Sequence, residues 1–245
     1  MVAGTCTGRW DGLTFHHRNE AEFELLAREI FEGGEYAFAC DWSDPDILDC
    51  GSHIGLSVAW FKRRFPRARI VAFEPDPRTF ELLRANVAAN DFEGVELHNV
   101  AVSTRRGTAR FYGEFDVAAP MASAHSLEEA WGTQRSDRWI EVETVPLADY
   151  ITGPVDYLKL DIEGAETAVL PSIASRLHLV RAIGLEFHGT GPRAAEDEAR
   201  VLGVLERSGF RATVTRKTRA IFPPEIGAWV ARVQPSVSVI SATRE

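Results

Sequence analysis

The chain has 245 residues and a formal net charge of −9. That length suits one large α/β domain, and an apolar content of 45% is enough for a substantial core. The acidic balance argues against a nucleic-acid partner, because binding phosphates requires a basic surface.

Three scattered cysteines without metal-ligand spacing fit a reducing compartment, so we expect a cytoplasmic protein. The sequence shows neither a signal-peptide pattern nor an apolar segment of membrane-spanning length, and no membrane partner is expected. Nothing in the composition decides whether the chain forms oligomers.

Residues 1–45 are predicted to form an N-terminal helical cap, with one amphipathic helix over 19–31. From residue 46, strands and helices alternate with short links, which predicts a doubly wound, mainly parallel, Rossmann-like α/β sheet. The predicted strands of its core are 47–49, 69–73, 95–98, 155–160 and 180–188. The predicted helices are 55–64, 77–90, 165–176 and 194–208.

Two further strands, 109–114 and 139–145, alternate like an outer pair. The polar, aperiodic segment between them, 116–138, is predicted to be a lid on the substrate side. Segments 210–216 and 228–233 read as an antiparallel C-terminal hairpin. The α/β domain is therefore expected to span 46–235, followed by a frayed tail over 236–245.

The first strand of the core leads into a glycine turn with the pattern Asp49-x-Gly51-x-x-x-Gly55, and the next strand ends at Glu74. This order predicts the first βαβ unit of a nucleotide-cofactor domain. Gly51 permits a tight turn with room for a ligand, and Gly55 permits close packing of the helix. Glu74 is placed to accept hydrogen bonds from both hydroxyls of a ribose.

The position of the acid distinguishes among nucleotide sites. NAD sites usually read Gly-x-Gly-x-x-Gly, whereas here an acid precedes the first glycine, and no glycine run ends in the Gly-Lys-Ser/Thr of a P-loop. The order resembles the first motif of S-adenosylmethionine (SAM) methyltransferases. On that resemblance, the expected cofactor-binding residues are Asp49, Gly51, Ser52, His53, Gly55, Glu74, Asn99, Ala101 and Asp161.

Charged residues also mark the ends of two later strands. Lys159 and Asp161 alternate in the first, and Glu186 and His188 alternate in the second. A strand buried on both faces should be almost entirely apolar, so these charges need each other or a ligand. If the strands are neighbours, the side chains meet at one edge of the sheet. A purely structural ion-pair cluster is the alternative.

Together these motifs resemble the FkbM family of SAM-dependent methyltransferases, and the likeness covers about residues 46–190. Its most specific part is Lys159-x-Asp161-x-Glu163-Gly164-x-Glu166, and the Leu185-Glu186-x-His188 ending agrees with it. His53 departs from the family, which more often has asparagine there. Both residue types tolerate unusual turn conformations and donate hydrogen bonds.

The resemblance implies a SAM-dependent methyltransferase acting on a hydroxyl of a small molecule, such as a sugar-bearing or polyketide natural product. Amide N-methylation within the same family is the nearest alternative. An NAD-dependent oxidoreductase and a non-catalytic cofactor-binding domain are the others.

Three candidates are considered for removing the acceptor's proton. His188 ranks first, because its ordinary pKa suits neutral pH, with Glu186 orienting the ring. A divalent cation, Mg²⁺ or manganese, held by Asp161, Glu186 and His188 ranks second. Lys159 ranks third, because burial would have to depress its pKa. Asp161 is expected to pair either with the α-ammonium of SAM or with Lys159.

Overall fold

Twelve strands and five α-helices make up the computed structural model, which describes residues 4–113, 125–127, 138–217 and 236–244. In chain order the strands are β1 (Cys6–Trp10), β2 (Leu13–His17), β3 (Asp46–Cys50), β4 (Arg69–Phe73), β5 (Val95–His98), β6 (Ala101–Ser103), β7 (Gly107–Tyr112), β8 (Trp139–Pro146), β9 (Val155–Leu160), β10 (Val180–Gly189), β11 (Arg211–Lys217) and β12 (Ser236–Thr243). The helices are α1 (Glu20–Ala27), α2 (Leu56–Arg64), α3 (Pro77–Ala89), α4 (Glu166–Ser172) and α5 (Ala194–Arg207).

The central sheet has seven strands in the order β11-β12-β10-β9-β3-β4-β5. Strands β5, β4, β3, β9 and β10 are parallel, and β12 runs antiparallel to both β10 and β11. The predicted parallel, Rossmann-like sheet is therefore confirmed, and it carries an antiparallel C-terminal pair whose second strand is β12. The order reverses between β3 and β9, where a doubly wound sheet opens a crevice for a ligand.

The C-terminal residues are the main correction to the predicted elements. Ser236–Thr243 is a strand inserted between β10 and β11, not a frayed tail. Its apolar residues are short and separated by serines, so the segment reads as polar, yet Val237, Ile240 and Ala242 are buried. The predicted strand at 228–233 lies outside the described residues, as does most of the predicted lid at 116–138.

Alternating side chains divide the core between the two faces of the sheet. In β9, Tyr157 joins the cluster under α2 and α3, whereas its neighbour Leu158 joins the cluster under α4 and α5. In β10, Ala182 joins the cluster under α2 and α3, and Ile183 joins the cluster under α4 and α5. Successive residues of a strand point to opposite faces, so a parallel sheet covered on both sides needs such apolar runs.

A smaller sheet of order β6-β8-β7 flanks the end of β5. The predicted outer pair is confirmed here, since β7 and β8 are antiparallel over Gly107–Tyr112. Ala101, Phe111 and Val142 form its own buried cluster. None of the described helices combines the length and the hydrophobicity that a membrane span requires.

The N-terminal segment contains more than the predicted helix. A hairpin of β1 and β2 precedes α1, and the predicted helix over 19–31 becomes α-helix followed by a π-helical turn, Arg28–Glu32. Phe15 and Phe23 are buried against each other and extend the core under α2 and α3. The predicted cap role of residues 1–45 therefore depends on which part of the domain this segment covers.

Asn86 of α3 ties the hairpin to the domain. Its side chain accepts from the His16 N–H at 2.6 Å and donates to the carbonyls of His16 and Ile54 at 3.0 and 2.8 Å. Asn86→Ala is expected to lower the free energy of unfolding by about 2–4 kcal/mol, because these buried backbone groups lose their partner. Urea unfolding measures the change, with Arg84→Ala on the exposed face of the same helix as control. Equal midpoints for the two variants would contradict this anchoring role.

Candidate active site

The candidate site lies at the carboxyl ends of β3, β4 and β9, where a cavity of about 420 Å³, including its open mouth, enters the fold. Four predicted cofactor residues line it: Gly51, Glu74, Ala101 and Asp161. The rest of its wall is mostly apolar and, apart from Glu163 of the family motif, was not predicted from the sequence. Those residues are Phe73, Pro75, Val100, Val102, Phe111, His125, Leu127, Ile162 and Glu163.

Gly51 is needed for a different reason from the one expected. Its φ is +85°, and a Cβ there would lie 1.7 Å from the main-chain oxygen of Asp161. The turn after β3 therefore packs directly on the chain leaving β9. A side chain at residue 51 would collide with protein backbone before reaching a ligand, so Gly51→Val tests folding and not cofactor binding alone.

Glu74 is a buried carboxylate at the end of β4. Its Oε1 accepts from the Asp76 N–H at 2.8 Å, and its Oε2 accepts from the His53 N–H at 3.0 Å. Each oxygen keeps acceptor capacity for one further donor, which fits the two hydroxyls of a ribose. Burial, reinforced by the charge of Asp76, raises the pKa of Glu74 to about 8.

Three of the other predicted cofactor residues support the turns instead of lining the cavity. Asn99 donates to the carbonyls of Glu74 and Pro75 at 2.8 and 3.1 Å, so it braces the strand end that carries the acid. The Ser52 hydroxyl donates to the main-chain oxygen of Asp49 at 2.9 Å. A Cβ on Gly55 would lie 2.7 Å from Leu83 of α3, which confirms its packing role.

Asp49 and Lys159 form a buried ion pair beneath the cavity. Lys159 Nζ is 3.3 Å from Asp49 Oδ1 and 3.2 Å from Asp161 Oδ2, and it donates to the Gly51 carbonyl at 2.7 Å. Burial alone would lower the pKa of Lys159, but the two carboxylates outweigh it and raise the pKa above its ordinary value. A raised pKa favours the charged form of Lys159, which argues against the general-base role that ranked third.

The predicted cluster at the ends of β9 and β10 is present, with His188 at its centre. His188 Nε2 lies 3.5 Å from Glu163 Oε2, 3.8 Å from Glu186 Oε1 and 4.0 Å from Asp161 Oδ1. Burial opposes the charged ring, but the surrounding carboxylates raise the pKa of His188 well above its usual value. A raised pKa favours the protonated ring, which argues against His188 as the general base.

Glu166, not Glu186, fixes the orientation of that ring. Glu166 Oε1 is 3.0 Å from His188 Nδ1, and the same carboxylate accepts from the N–H groups of Ile162 and Gly164. Its place in the first turn of α4 also suits the helix dipole. Glu186 instead meets Lys217 Nζ at 2.9 Å, a residue for which the sequence offered no signal.

The N-terminal segment reaches this cluster. The Tyr36 hydroxyl donates to Asp161 Oδ2 at 3.2 Å, and Glu35 Oε1 is 2.8 Å from Lys217 Nζ. Burial and the charge of Glu186 raise the pKa of Glu35 to about 7. No metal or nucleotide motif marks residues 35 and 36, so sequence analysis did not find them.

Comparison with known proteins agrees with this geometry. Residues 49–212 match the methyltransferase FkbM domain model. The chain belongs to the FkbM methyltransferase family. Methyltransferase sdnD of Sordaria araneosa is 29% identical, over 91% of this chain and 95% of its own. The 31-O-demethyl-FK506 methyltransferase FkbM of Streptomyces tacrolimicus is 28% identical, over 82% and 86%. Methyltransferase FkbM from Methylobacillus flagellatus KT shares the fold at a TM-score of 0.53 and 15% identity, covering 88% of this chain and 47% of that one.

The FkbM domain is a class I, SAM-dependent methyltransferase fold, so the expected family and fold are confirmed. Membership of this family supports SAM as the cofactor and gives no support to Mg²⁺. The residues present fit SAM: Glu74 is a buried acid with acceptor capacity on both oxygens, and Ala101 belongs to an apolar wall beside it. The matched range contains both the glycine turn and the His188 cluster. Tyr36 and Lys217, which complete that cluster, lie outside the range.

The pKa of Glu74 predicts a pH-dependent affinity for S-adenosylhomocysteine, the product form of the cofactor. Ribose hydroxyls donate most strongly to the ionised Glu74 carboxylate. Where Glu74 is protonated in the free protein, binding must therefore release that proton. The affinity for S-adenosylhomocysteine is expected to rise as the pH increases toward the Glu74 pKa of about 8. Calorimetry in buffers of different ionisation enthalpy measures the proton release. A flat profile in the wild type, equal to that of Glu74→Gln, would contradict this.

Proposed function

We propose that the protein transfers the methyl group of SAM to a hydroxyl oxygen of a small molecule, a sugar-bearing or polyketide natural product. The observation that carries the proposal is the buried His188 cluster, which presents the carboxylates Glu163 and Asp161 to the cofactor cavity. The name of the Streptomyces tacrolimicus relative, which specifies an oxygen position, supports methylation at oxygen.

The chain's own residues would hold the adenosine half of SAM in the apolar cavity, with Glu74 on the ribose and Ala101 beside the base. Asp161 would pair with the α-ammonium group while Lys159 and Tyr36 fix its other contacts. When bound, SAM supplies a methyl group already activated on a sulfonium. The protein must then orient the acceptor, exclude water and take up one proton.

We assign Glu163 as the group that accepts the proton of the acceptor hydroxyl. Its oxygen lies 3.5 Å from the imidazolium of His188, and the residue lines the cavity. Its backbone is held in the left-handed region, at φ +53°, where its carbonyl accepts from the Ser126 hydroxyl. His188 would act as a positioning residue that keeps Glu163 ionised, and Glu166 would keep His188 in place.

A divalent cation is the second reading of the same cluster. Asp161, Glu186 and His188 each offer one ligand atom, and these atoms lie within 4.8 Å of one another. However, Lys159 and Lys217 already neutralise two of these ligands, at 3.2 and 2.9 Å, which favours the proton-transfer reading. Turnover is therefore expected to survive EDTA. Activity lost in EDTA and restored by Mg²⁺ would reverse this ranking.

Residues 1–45 are proposed to cap the cofactor side, because Tyr36 bonds to Asp161 within the site. Segment 116–138 is proposed as the lid over the acceptor. The acceptor is expected to be a small molecule and not a nucleic acid.

Incubation with methyl-deuterated SAM and an extract of the native host tests the proposed function. One compound should gain a single labelled methyl group, with release of S-adenosylhomocysteine, and His188→Ala should strongly reduce both signals. A protein that binds S-adenosylhomocysteine but labels nothing would be a non-catalytic cofactor-binding domain. A label on amide nitrogen would assign the N-methyltransferase alternative.

A further inference from the structure

A second cavity, of about 330 Å³ with its open mouth, lies beside the N-terminal segment. His53 connects it to the cofactor cavity: this residue lines the second cavity, and its backbone N–H binds Glu74 in the wall of the first. Its position at the glycine turn places the second cavity next to the ribose site. No role proposed above uses this space.

His17 is the least satisfied polar group in its wall. The residue is 1% exposed, and its ring stacks on Phe23 with centroids 4.6 Å apart and planes 2° apart. Among the described residues, neither ring nitrogen makes a hydrogen bond, although Glu20 Oε2 lies 3.2 Å from Nε2. A buried imidazole without aligned partners is costly, so a ligand that bonds to it would be bound favourably.

The rest of the wall defines the chemistry of that ligand. Arg18 and Glu22 carry opposite charges, which disfavours a strongly ionic ligand. Asn19 and Thr79 offer amide and hydroxyl groups, while Ile54 and Leu82 offer apolar contact. Polar groups around an aliphatic surface match a ring with hydroxyls at its rim and C–H groups on its faces.

We propose that this cavity binds a neutral, polyhydroxylated ring of the methyl acceptor, a sugar residue, through His17, Glu22 and His53. The inference rests on the proposed function and names the substrate class of its site. It also gives His53 a role where the family more often has asparagine. His17 and Glu22 precede the matched range, so acceptor choice would depend on residues that the family pattern does not include.

The test is NMR of the full chain labelled with ¹⁵N in its histidine rings, with S-adenosylhomocysteine present. Methyl glycosides of glucose, galactose, mannose, fucose and rhamnose are titrated to about 50 mM, because isolated sugar units bind in the millimolar range. The ring signals of His17 and His53 are expected to shift with at least one sugar. The exposed His178 should not respond.

His17→Phe keeps a ring on Phe23 but removes both nitrogens, and it is expected to weaken sugar binding about tenfold with unchanged S-adenosylhomocysteine affinity. His16→Phe, the neighbouring residue in β2, is the matched control. If His17→Phe is misfolded, Glu22→Gln replaces it, with a loss of several-fold expected from the weaker acceptor.

Two outcomes would overturn the proposal: no glycoside shifts the His17 signal, or the variants bind sugar as the wild type does. Titration without S-adenosylhomocysteine separates this failure from failure of the proposed function. A protein that binds sugar at His17 but neither SAM nor its product keeps the sugar site and loses the methyltransferase proposal.

Discussion

His188→Ala is expected to reduce turnover by roughly 10²–10⁴-fold, while affinity for S-adenosylhomocysteine stays nearly unchanged. The imidazolium is the shared cation of Asp161, Glu163 and Glu186, and its removal leaves these carboxylates facing one another. Some of them would take up protons, and Glu163 would no longer be an ionised acceptor. Single-turnover rates with saturating SAM measure the effect directly.

The pH–rate profile distinguishes this role from that of a free histidine base. Because the pKa of His188 is raised well above 6.5, kcat/KM for the acceptor at saturating SAM is expected to be flat between about pH 6 and 8 and to fall at alkaline pH. A neutral histidine base would instead give a rate that rises through about pH 6.5. His178→Ala, an exposed histidine, serves as control. A fully active His188→Ala variant would remove the cluster from the mechanism.

Glu74→Ala is expected to weaken S-adenosylhomocysteine binding by about 10²–10⁴-fold, since two charge-assisted hydrogen bonds to the ribose are lost at roughly 1.5–3 kcal/mol each. The matched control is Glu96→Ala, an exposed acid on the neighbouring strand β5. Calorimetry measures both affinities. Equal affinities for Glu74→Ala and the wild type would show that the cofactor binds elsewhere.

Thermal unfolding of the free protein separates lost binding from misfolding in the same variant. The pKa of Glu74 is raised in the fold from 4.5 to about 8, so the folded state holds a proton that the unfolded chain releases earlier. Wild-type stability should therefore fall as pH rises through this window. Glu74→Ala lacks this loss, and its stability relative to the wild type should increase from pH 5 to about pH 9.

The sheet was predictable because its strands are short apolar runs bounded by glycine and charged residues, as in β3 and β9. The same regularity made the polar strand ends recognisable, because Asp161 and His188 interrupt an otherwise apolar pattern. Parallel neighbours end at one edge of a sheet, so the meeting of these side chains followed from strand order alone.

The assignments that changed depend on tertiary contacts. Glu186 lies two residues before His188 in β10, and Glu166 follows the neighbouring strand β9. Only the turn from β9 into α4 shows that Glu166 is the acid that reaches Nδ1. The pKa of Lys159 could not be anticipated, because its direction depends on whether burial or Asp49 and Asp161 dominates. Tyr36 and Lys217 come from segments without a motif, so their contribution required the fold.

The atom that receives the methyl group decides whether the protein is an O-methyltransferase. The host-extract reaction is repeated with ¹³C-methyl SAM, and the labelled product is isolated and analysed by proton–carbon correlation NMR. We expect one methyl group whose long-range correlation leads through oxygen to a carbon that bears a hydroxyl in the precursor. A labelled methyl group bound to nitrogen or carbon, or the absence of any labelled product, would contradict it.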